Sequence, residues 1–553
     1  MRVKRILVLA GAIAAPSLAM SQTPATSVDT TSRTVDRVFE DMRGTDRPGC
    51  AVGVSRHGKV VHERGYGMSN LETGTPITPS SIFHVASVSK QFTAMAVMLL
   101  ASEGKLSVDD DIRKYIPEIP DYGTTITITH LLTHTSGLRD QWALLNLARG
   151  RFEENRITEA DVLDIASRQR ALNFTPGGEY VYSNTGYTLA AVIVKRVSGK
   201  SLRDFADERI FQPLGMTNTH FHDDYHMLVP GRTSAYARRG TGWRVSIPNF
   251  DTYGATSLFT TVGDLLKWEA NFDSLAIGDS AIVAEMETPA RLTNGDSTGY
   301  GLGLGIGRYR GTRVVGHGGA DAGYRSYVGR YPEHGLAIAI ACNASIANTG
   351  ALAQGVADAH LGTTLPAVDS AETPRAVPIS PAMLQRRVGV YVQPTTFEVI
   401  ELSMRDGQLI GGRTGGPVLV PVGDNRFRAG QREMVFGDGE HEGFEMRQPG
   451  SPRPVQFEWR APVTPSSSAL AAYAGEYFSE EVNAYYRVAA RDSGLSLVTG
   501  TSEPFGARAL FADTFQGGGY IIQFIRSGSQ VTGFEVTNGR MRRVKFSRVP
   551  ARR

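Results

Sequence analysis

Residues 83–99 read FHVASVSKQFTAMAVML, with Ser87 and Lys90 three positions apart where an apolar helical pattern begins. Phe92, Ala96, Leu99 and Leu100 recur at helical spacing, so the stretch predicts a helix opening near Ser87. A serine at a helix N-terminus meets unpaired backbone N–H groups and the positive end of the dipole, where an oxyanion is favoured. A lysine one turn on projects from the same face. Held partly neutral, its amine can take the serine's proton. The spacing alone is weak, because a Ser-x-x-Lys pair arises by chance about once in a chain of this size. Ser102 and Lys105 repeat it, but Gly104 lies where the helix should end, and Lys105 reads as a solvated C-terminal cation.

Two further segments decide between accident and chemistry. In TPGGEYVYSNTGYTLAA, Tyr182-Ser183-Asn184 follow the turn residues Pro176, Gly177 and Gly178 and precede a helical pattern. A tyrosine beside a lysine can share its proton, since a neighbouring cation lowers the phenol pKa; a packed tyrosine with an asparagine helix cap is the alternative. In VVGHGGADAGYRS, His317-Gly318-Gly319 end a strand, and glycines there let a substrate backbone approach closely. His84, His130 and His134 crowd the same region without a third ligand at metal spacing. Packing or capping is expected of them. Neither a metal nor a cofactor is expected.

The 553 residues exceed one ordinary core, and 41% hydrophobic with 20% charged residues fit globular domains. Residues 1–21 combine a basic start, an apolar run and small residues before Gln22, which predicts a secretory signal cleaved between Ser21 and Gln22 and a periplasmic or secreted protein. The apolar run contains Pro16 and is short for a bilayer, so no membrane span is expected. Residues 1–21 hold Arg2, Lys4 and Arg5 and no acid, which leaves 55 basic against 55 acidic residues and no charge argument for nucleic acid. The arginine-rich end GRMRRVKFSRVPARR reads as a solvated strand edge and tail. Cys50 and Cys342 each sit in apolar runs; buried free thiols are the expectation and a disulfide the alternative.

Along the chain, GCAVGVSRHGKVVHERGYG alternates as two strands about a turn at His57-Gly58. Strands return at TRVVGHGG, YRSYVGRYP and GLAIAIACNAS, enclosing a mostly helical middle. This predicts an α/β unit over 30–365, a mixed sheet with helices packed on it. Residues 366–380 read as a Pro- and Ala-rich linker. Beyond it the pattern changes to short strands and glycine turns with a weak internal repeat: LQRRVGVY at 384–391 returns as LAAYAGEY at 470–477. Two small antiparallel domains, 381–462 and 466–550, or two halves of one larger barrel are the options.

Ser87-Val88-Ser89-Lys90, Tyr182-Ser183-Asn184 and His317-Gly318-Gly319, in this order, resemble the three motifs of the serine β-lactamase and penicillin-binding-protein superfamily. ITITHLLTHTSGL, FTPGGEYVYSNTGY and FQPLGMTNT are similar to connecting segments of its class C-like branch, which contains β-lactamases, DD-carboxypeptidases, esterases and D-aminopeptidases. The resemblance covers roughly residues 35–360. It implies an α/β (α+β) domain with an antiparallel sheet flanked by helices. All-β barrel-like domains appended after it would match the D-aminopeptidase layout. It implies Ser87 as nucleophile, Lys90 and Tyr182 as the proton-handling pair with the base unassigned, and the N–H groups of Ser87 and Ala320 as the oxyanion hole. Asn184 would orient a substrate amide or the lysine, with His317, Gly318 and Gly319 lining the substrate.

The family's third motif is usually Lys-Thr-Gly; His317-Gly318 lacks the fixed cation and hydroxyl that meet a substrate carboxylate. An esterase or amidase, D-aminopeptidase-like, is therefore expected ahead of β-lactamase or DD-carboxypeptidase action, on a small ester, amide or short peptide. A non-catalytic envelope binding protein that kept the fold is the alternative of a different class. Arg413-Thr414-Gly415 imitates the missing triad but lies in a glycine turn beyond the linker, and is expected to be a surface turn. The oligomeric state is left open.

Overall fold

The computed structural model describes residues 28–150, 155–366, 376–412, 416–448, 453–500 and 502–550. The expected signal, most of the linker and Arg413-Thr414-Gly415 lie outside the described residues. A six-stranded sheet organises the first part: β1 Cys50–Arg56, β2 Lys59–Tyr66, β3 Gly305–Tyr309, β4 Thr312–Asp321, β5 Tyr324–Tyr331 and β6 Leu336–Cys342, in the order β3-β4-β5-β6-β1-β2. Every pairing is antiparallel, which corrects the expectation of a mixed sheet. Strands β3 to β6 follow one another through short turns and β1–β2 is itself a hairpin; the helical middle joins the two opposite edge strands, β2 and β3, and β1 lies antiparallel to β6, so no parallel pair arises.

The β6 sequence LAIAIAC explains the layering. Ala337, Ala339 and Ala341 face one core, and Leu336, Ile338, Ile340 and Cys342 face the other. The large side chains pack against the terminal helices α1 Val28–Val38 and α8 Thr349–Leu361. The alanine side admits α7 Val262–Ser274 at close range; a Cβ on Gly53 of the adjacent strand would already stand 3.0 Å from Leu266. Between them lies α2 Ser89–Ser102, with every residue from Ser89 to Leu100 buried. Phe92, Ala96, Leu99 and Leu100 mark one apolar face, yet the helix is enclosed all round. It starts at Ser89, preceded by a 3₁₀ turn over Ala86–Val88.

Cys50 and Cys342 are directly opposed in the β1–β6 register, with Cα atoms 4.0 Å apart, and form a disulfide. This overturns the expectation of free thiols. The partners are 292 residues apart in sequence, so no local pattern could pair them. Thiol titration in denaturant without reductant is expected to find none, and two after reduction; two before reduction would refute the bridge.

After the linker come two barrels rather than one. Eight strands from Gly389–Val392 to Val455–Arg460 form the first sheet, whose edges meet where Leu419 N–H donates to Leu409 O at 2.8 Å. Eight more, from Gly475–Ser479 to Met541–Arg548, close into the second. The internal repeat has a structural counterpart: Tyr391 Oη donates to Arg387 O at 3.0 Å and Tyr477 Oη to Tyr473 O at 2.8 Å, pinning each barrel's first strand to the turn that follows a short helix.

The second barrel shares a hydrophobic core with the α/β unit. Trp142, Leu144, Leu145 and Leu147 of α4 Gln141–Arg149, with Val162 and Ile165 of α5 Glu159–Ser167, pack among Tyr486, Tyr520, Phe534 and Phe546. Arg139 and Glu481 form a buried ion pair across the junction. Arg542 binds Glu179 through two bonds of 3.0 and 2.8 Å. Met541–Arg548 in the arginine-rich end is thus a barrel strand paired on both sides, with Arg542 facing the α/β unit while Arg543 and Lys545 stay exposed; the tail at 551–553 lies outside the described residues. Among the described residues, no helix is long and apolar enough to cross a membrane.

Candidate active site

Three elements meet at one cleft of about 560 Å³, lined among others by Ser87, Tyr182, Asn184 and His317 to Asp321. Ser87 sits in the 3₁₀ turn at the mouth of α2, held by its neighbours. Ser89 Oγ donates to Ala86 O at 2.5 Å and accepts from Leu258 N–H at 3.0 Å. Ala86, just before Ser87, has a left-handed φ of +49°, a strain typical of functional turns.

One turn into α2, the Lys90 side chain is wholly buried. Its Nζ lies 3.0 Å from Ser87 Oγ, 2.9 Å from Asn184 Oδ1 and 2.6 Å from Ala255 O. Burial strips the ammonium of water and brings the Lys90 pKa down to about 7; Asp321 and Asp140 oppose the shift and Arg540 adds to it. Asn184 opens α6 Asn184–Ser198, and its amide orientation is fixed from behind. Nδ2 and the backbone N–H both donate to Asp140 Oδ2, at 2.8 and 2.7 Å, which leaves Oδ1 for the lysine.

Tyr182 shares a hydrogen bond with Ser87, and burial pushes its phenol pKa up. The ring packs 4.1 Å from His134 between centroids, and Lys90 Nζ stands 4.9 Å from its centre. His134 accepts the Ser183 N–H at 3.1 Å on Nδ1, while His130 completes a capping box with Thr127. Both histidines therefore serve structure. His84 bonds Asp321 Oδ2 at 3.0 Å, behind the cleft.

His317 on β4 donates from Nδ1 to Gly318 O at 2.5 Å and accepts the Tyr300 hydroxyl on Nε2 at 2.9 Å. Burial, with Lys90 nearby, lowers its pKa to about 4, so the ring is neutral. The two glycines differ. A Cβ on Gly319 would come within 2.3 Å of Val85 O and Ser326 Oγ, so its smallness lets β4 pack on the nucleophile turn; Gly318 is open and exposed. Ala320 lines the cleft with Ser87.

All eight residues singled out from sequence thus stand at one cleft or in its wall. Sequence reasoning missed Asp140, Ala255, Tyr300 and Arg540. Asp140 sits just beyond THTSGL, where a family-like segment could have drawn attention to it; a backbone carbonyl such as that of Ala255 leaves no sequence signal.

The family model described as Beta-lactamase matches residues 35–362. The chain belongs to the Beta-lactamase family. As a member it is a serine hydrolase. It is 28% identical over 443 residues to a D-aminopeptidase of Gluconobacter oxydans, covering 79% of this chain and 80% of that one. A D-aminopeptidase of Cereibacter sphaeroides is 26% identical over 542 residues, covering 94% and 99%. In fold the chain is similar to an octameric penicillin-binding protein homologue from Pyrococcus abyssi, with a TM-score of 0.55 at 21% identity over 87% of this chain and 100% of the other.

Proposed function

We propose that this family member hydrolyses amides, D-amino-acid amides or short peptides, through an acyl-enzyme on Ser87, and that it works outside the cytoplasm. The single observation that carries the reading is the environment of Lys90 Nζ. A neutral amine has two N–H bonds and one lone pair. Asn184 Oδ1 and Ala255 O can only accept, so they take both hydrogens and leave the lone pair facing Ser87 Oγ at 3.0 Å. With Lys90 near neutrality at pH 7 and Tyr182 kept protonated by burial, Lys90 is the base. Asn184 Oδ1 accepts from Lys90 and one Nδ2–H donates to Asp140, so the residue orients the lysine, and its second N–H is left for a substrate amide in the cleft it lines.

In this scheme Ser87 Oγ bonds to the carbonyl carbon as its proton passes to Lys90 Nζ. The resulting oxyanion faces the N–H groups of Ser87 and Ala320. The C–N bond breaks as the Tyr182 hydroxyl gives its proton to the leaving nitrogen, and Lys90 resupplies it. Water then repeats the sequence on the ester, releasing the acid and free Ser87. The amide reading draws support from the two D-aminopeptidase relatives, matched over most of their length. Export draws support from the signal-like start and from the Cys50–Cys342 bridge, since disulfides persist in oxidising compartments.

Intact-mass analysis during turnover of p-nitrophenyl acetate tests the reading. A transient acetyl adduct is expected in the wild type and absent in Ser87→Ala. No adduct and no turnover in either protein would replace the hydrolase by the binding-protein alternative.

A further inference from the structure

The cleft mouth holds a cation that the Ser87 chemistry does not consume. Arg540 stands at the tip of the hairpin joining Gln530–Asn538 to Met541–Arg548 in the second barrel. The barrel is docked so that this tip reaches the cleft lined by Ser87 and Tyr182. The tip is clamped: Arg540 O accepts from the Asp140 backbone N–H and from Asn173 Nδ2, each at 3.1 Å. Its own N–H donates to Asn538 Oδ1 at 2.9 Å. Two residues on, Arg542 is fixed to Glu179 and Asn173. The backbone of Arg540 therefore belongs to the wall of the cleft, although it comes from the end of the chain.

The side chain is used differently. Its guanidinium carbon lies 5.0 Å from the centre of the Tyr182 ring, and the residue is exposed. Among the described residues no carboxylate pairs with it, whereas its junction neighbours Arg139 and Arg542 are tied to Glu481 and Glu179. Asp321 also lines the cleft, but its Oδ2 is engaged by His84 and by the Thr256 hydroxyl. A guanidinium presents parallel N–H donors that match a carboxylate, and it keeps its charge at any working pH. The third motif supplies no such charge, because His317 is neutral and Gly318 bare.

We propose that Arg540 binds a substrate carboxylate on the leaving-group side, so that the preferred substrate is a short peptide whose departing part ends in a free C-terminal carboxylate. The side follows from Tyr182: Arg540 lies against the ring whose hydroxyl protonates the leaving nitrogen. The proposal rests on the hydrolase reading above. The second barrel thereby supplies the charge that the third motif lacks.

The test uses the full-length protein and two matched substrates, dialanine and dialanine C-terminal amide, in the D,D and L,L series, scored on cleavage between the two alanines. For the wild type, kcat/KM in the better series is expected to favour the free acid by on the order of 10-fold or more, the range of a hydrogen bond to a charged group. Arg540→Gln should bring the acid-to-amide ratio to about 1, chiefly by raising KM for the acid. Taking the ratio cancels any effect of the lost charge on Lys90, which both substrates feel alike. A wild-type ratio near or below 1, or a ratio unchanged by the substitution, overturns the proposal. So does an acetyl adduct on Ser87 from p-nitrophenyl acetate with neither peptide cleaved. Absence of that adduct together with no turnover of the ester or of either peptide instead overturns the hydrolase reading itself.

Discussion

Lys90→Met is expected to lower kcat/KM for p-nitrophenyl acetate by roughly 10²- to 10⁴-fold, the range supplied by a positioned general base. Methionine keeps an unbranched apolar stem in the buried α2 and removes the amine without leaving a charge behind. In the wild type the base is competent only when neutral. With Lys90 brought down to about 7, kcat/KM should rise as pH increases through 7 and level off above it. Burial and Arg540 favour the neutral form, while Asp321 and Asp140 favour the ammonium; the balance sets where that limb falls. Lys90→Met should lose the limb along with the rate. The substitution also leaves Asn184 Oδ1 and Ala255 O without their donor, so a thermal melt must accompany the kinetics. A folded Lys90→Met enzyme within tenfold of wild type would pass the role of base to Tyr182.

Glu481→Ala is expected to destabilise the protein by about 3–5 kcal/mol, the cost of stranding a buried charge. Arg139 and Glu481 are 2% and 6% exposed, one from the loop before α4 and the other from the second barrel. Without the carboxylate, Arg139 keeps only neutral acceptors, Gln169 Oε1 at 2.9 Å and Arg543 O at 3.3 Å. Glu481 Oε2 also accepts the Arg170 N–H at 2.9 Å, so that donor is lost as well. The measurement is the first thermal transition, expected to fall by several degrees. The paired replacement Arg139→Met with Glu481→Leu should recover most of the loss, because it removes both charges from the interior. An unchanged transition in Glu481→Ala would mean that the shared apolar core alone holds the barrel. Arg139 precedes Asp140, whose carboxylate orients Asn184, so loosening the junction should also be felt at Lys90.

The chemistry-bearing residues were legible because their signals are local. Ser87 and Lys90 are related by one helical turn. Tyr182-Ser183-Asn184 and His317-Gly318-Gly319 are short contiguous runs, the first at the start of α6 and the second inside β4, which continues to Asp321 instead of ending at the glycines. Helix α6 and strands β4 to β6 followed from periodicity for the same reason. Even there, the tertiary setting changed the reading: α2 looks amphipathic from four positions, yet packing encloses it all round. The weak repeat between Tyr391 and Tyr477 was visible in letters, but whether it made one barrel or two depended on which strand edges meet.

What no local pattern could carry was every relation between distant segments. Cys50 faces Cys342 because β1 pairs with β6, a register fixed by two cores rather than by either cysteine. The same holds for Asp140 behind Asn184 and Ala255 beside Lys90. Arg542 read as part of a solvated strand edge because its charge is evident in sequence and its partner Glu179 is not. Burial of a barrel face against α4 and α5 sets Glu179 opposite Arg542 and brings Arg540 to the cleft. Short-range spacing specifies which groups can react; the apolar surfaces that close the fold decide which of the remaining charges stand beside them.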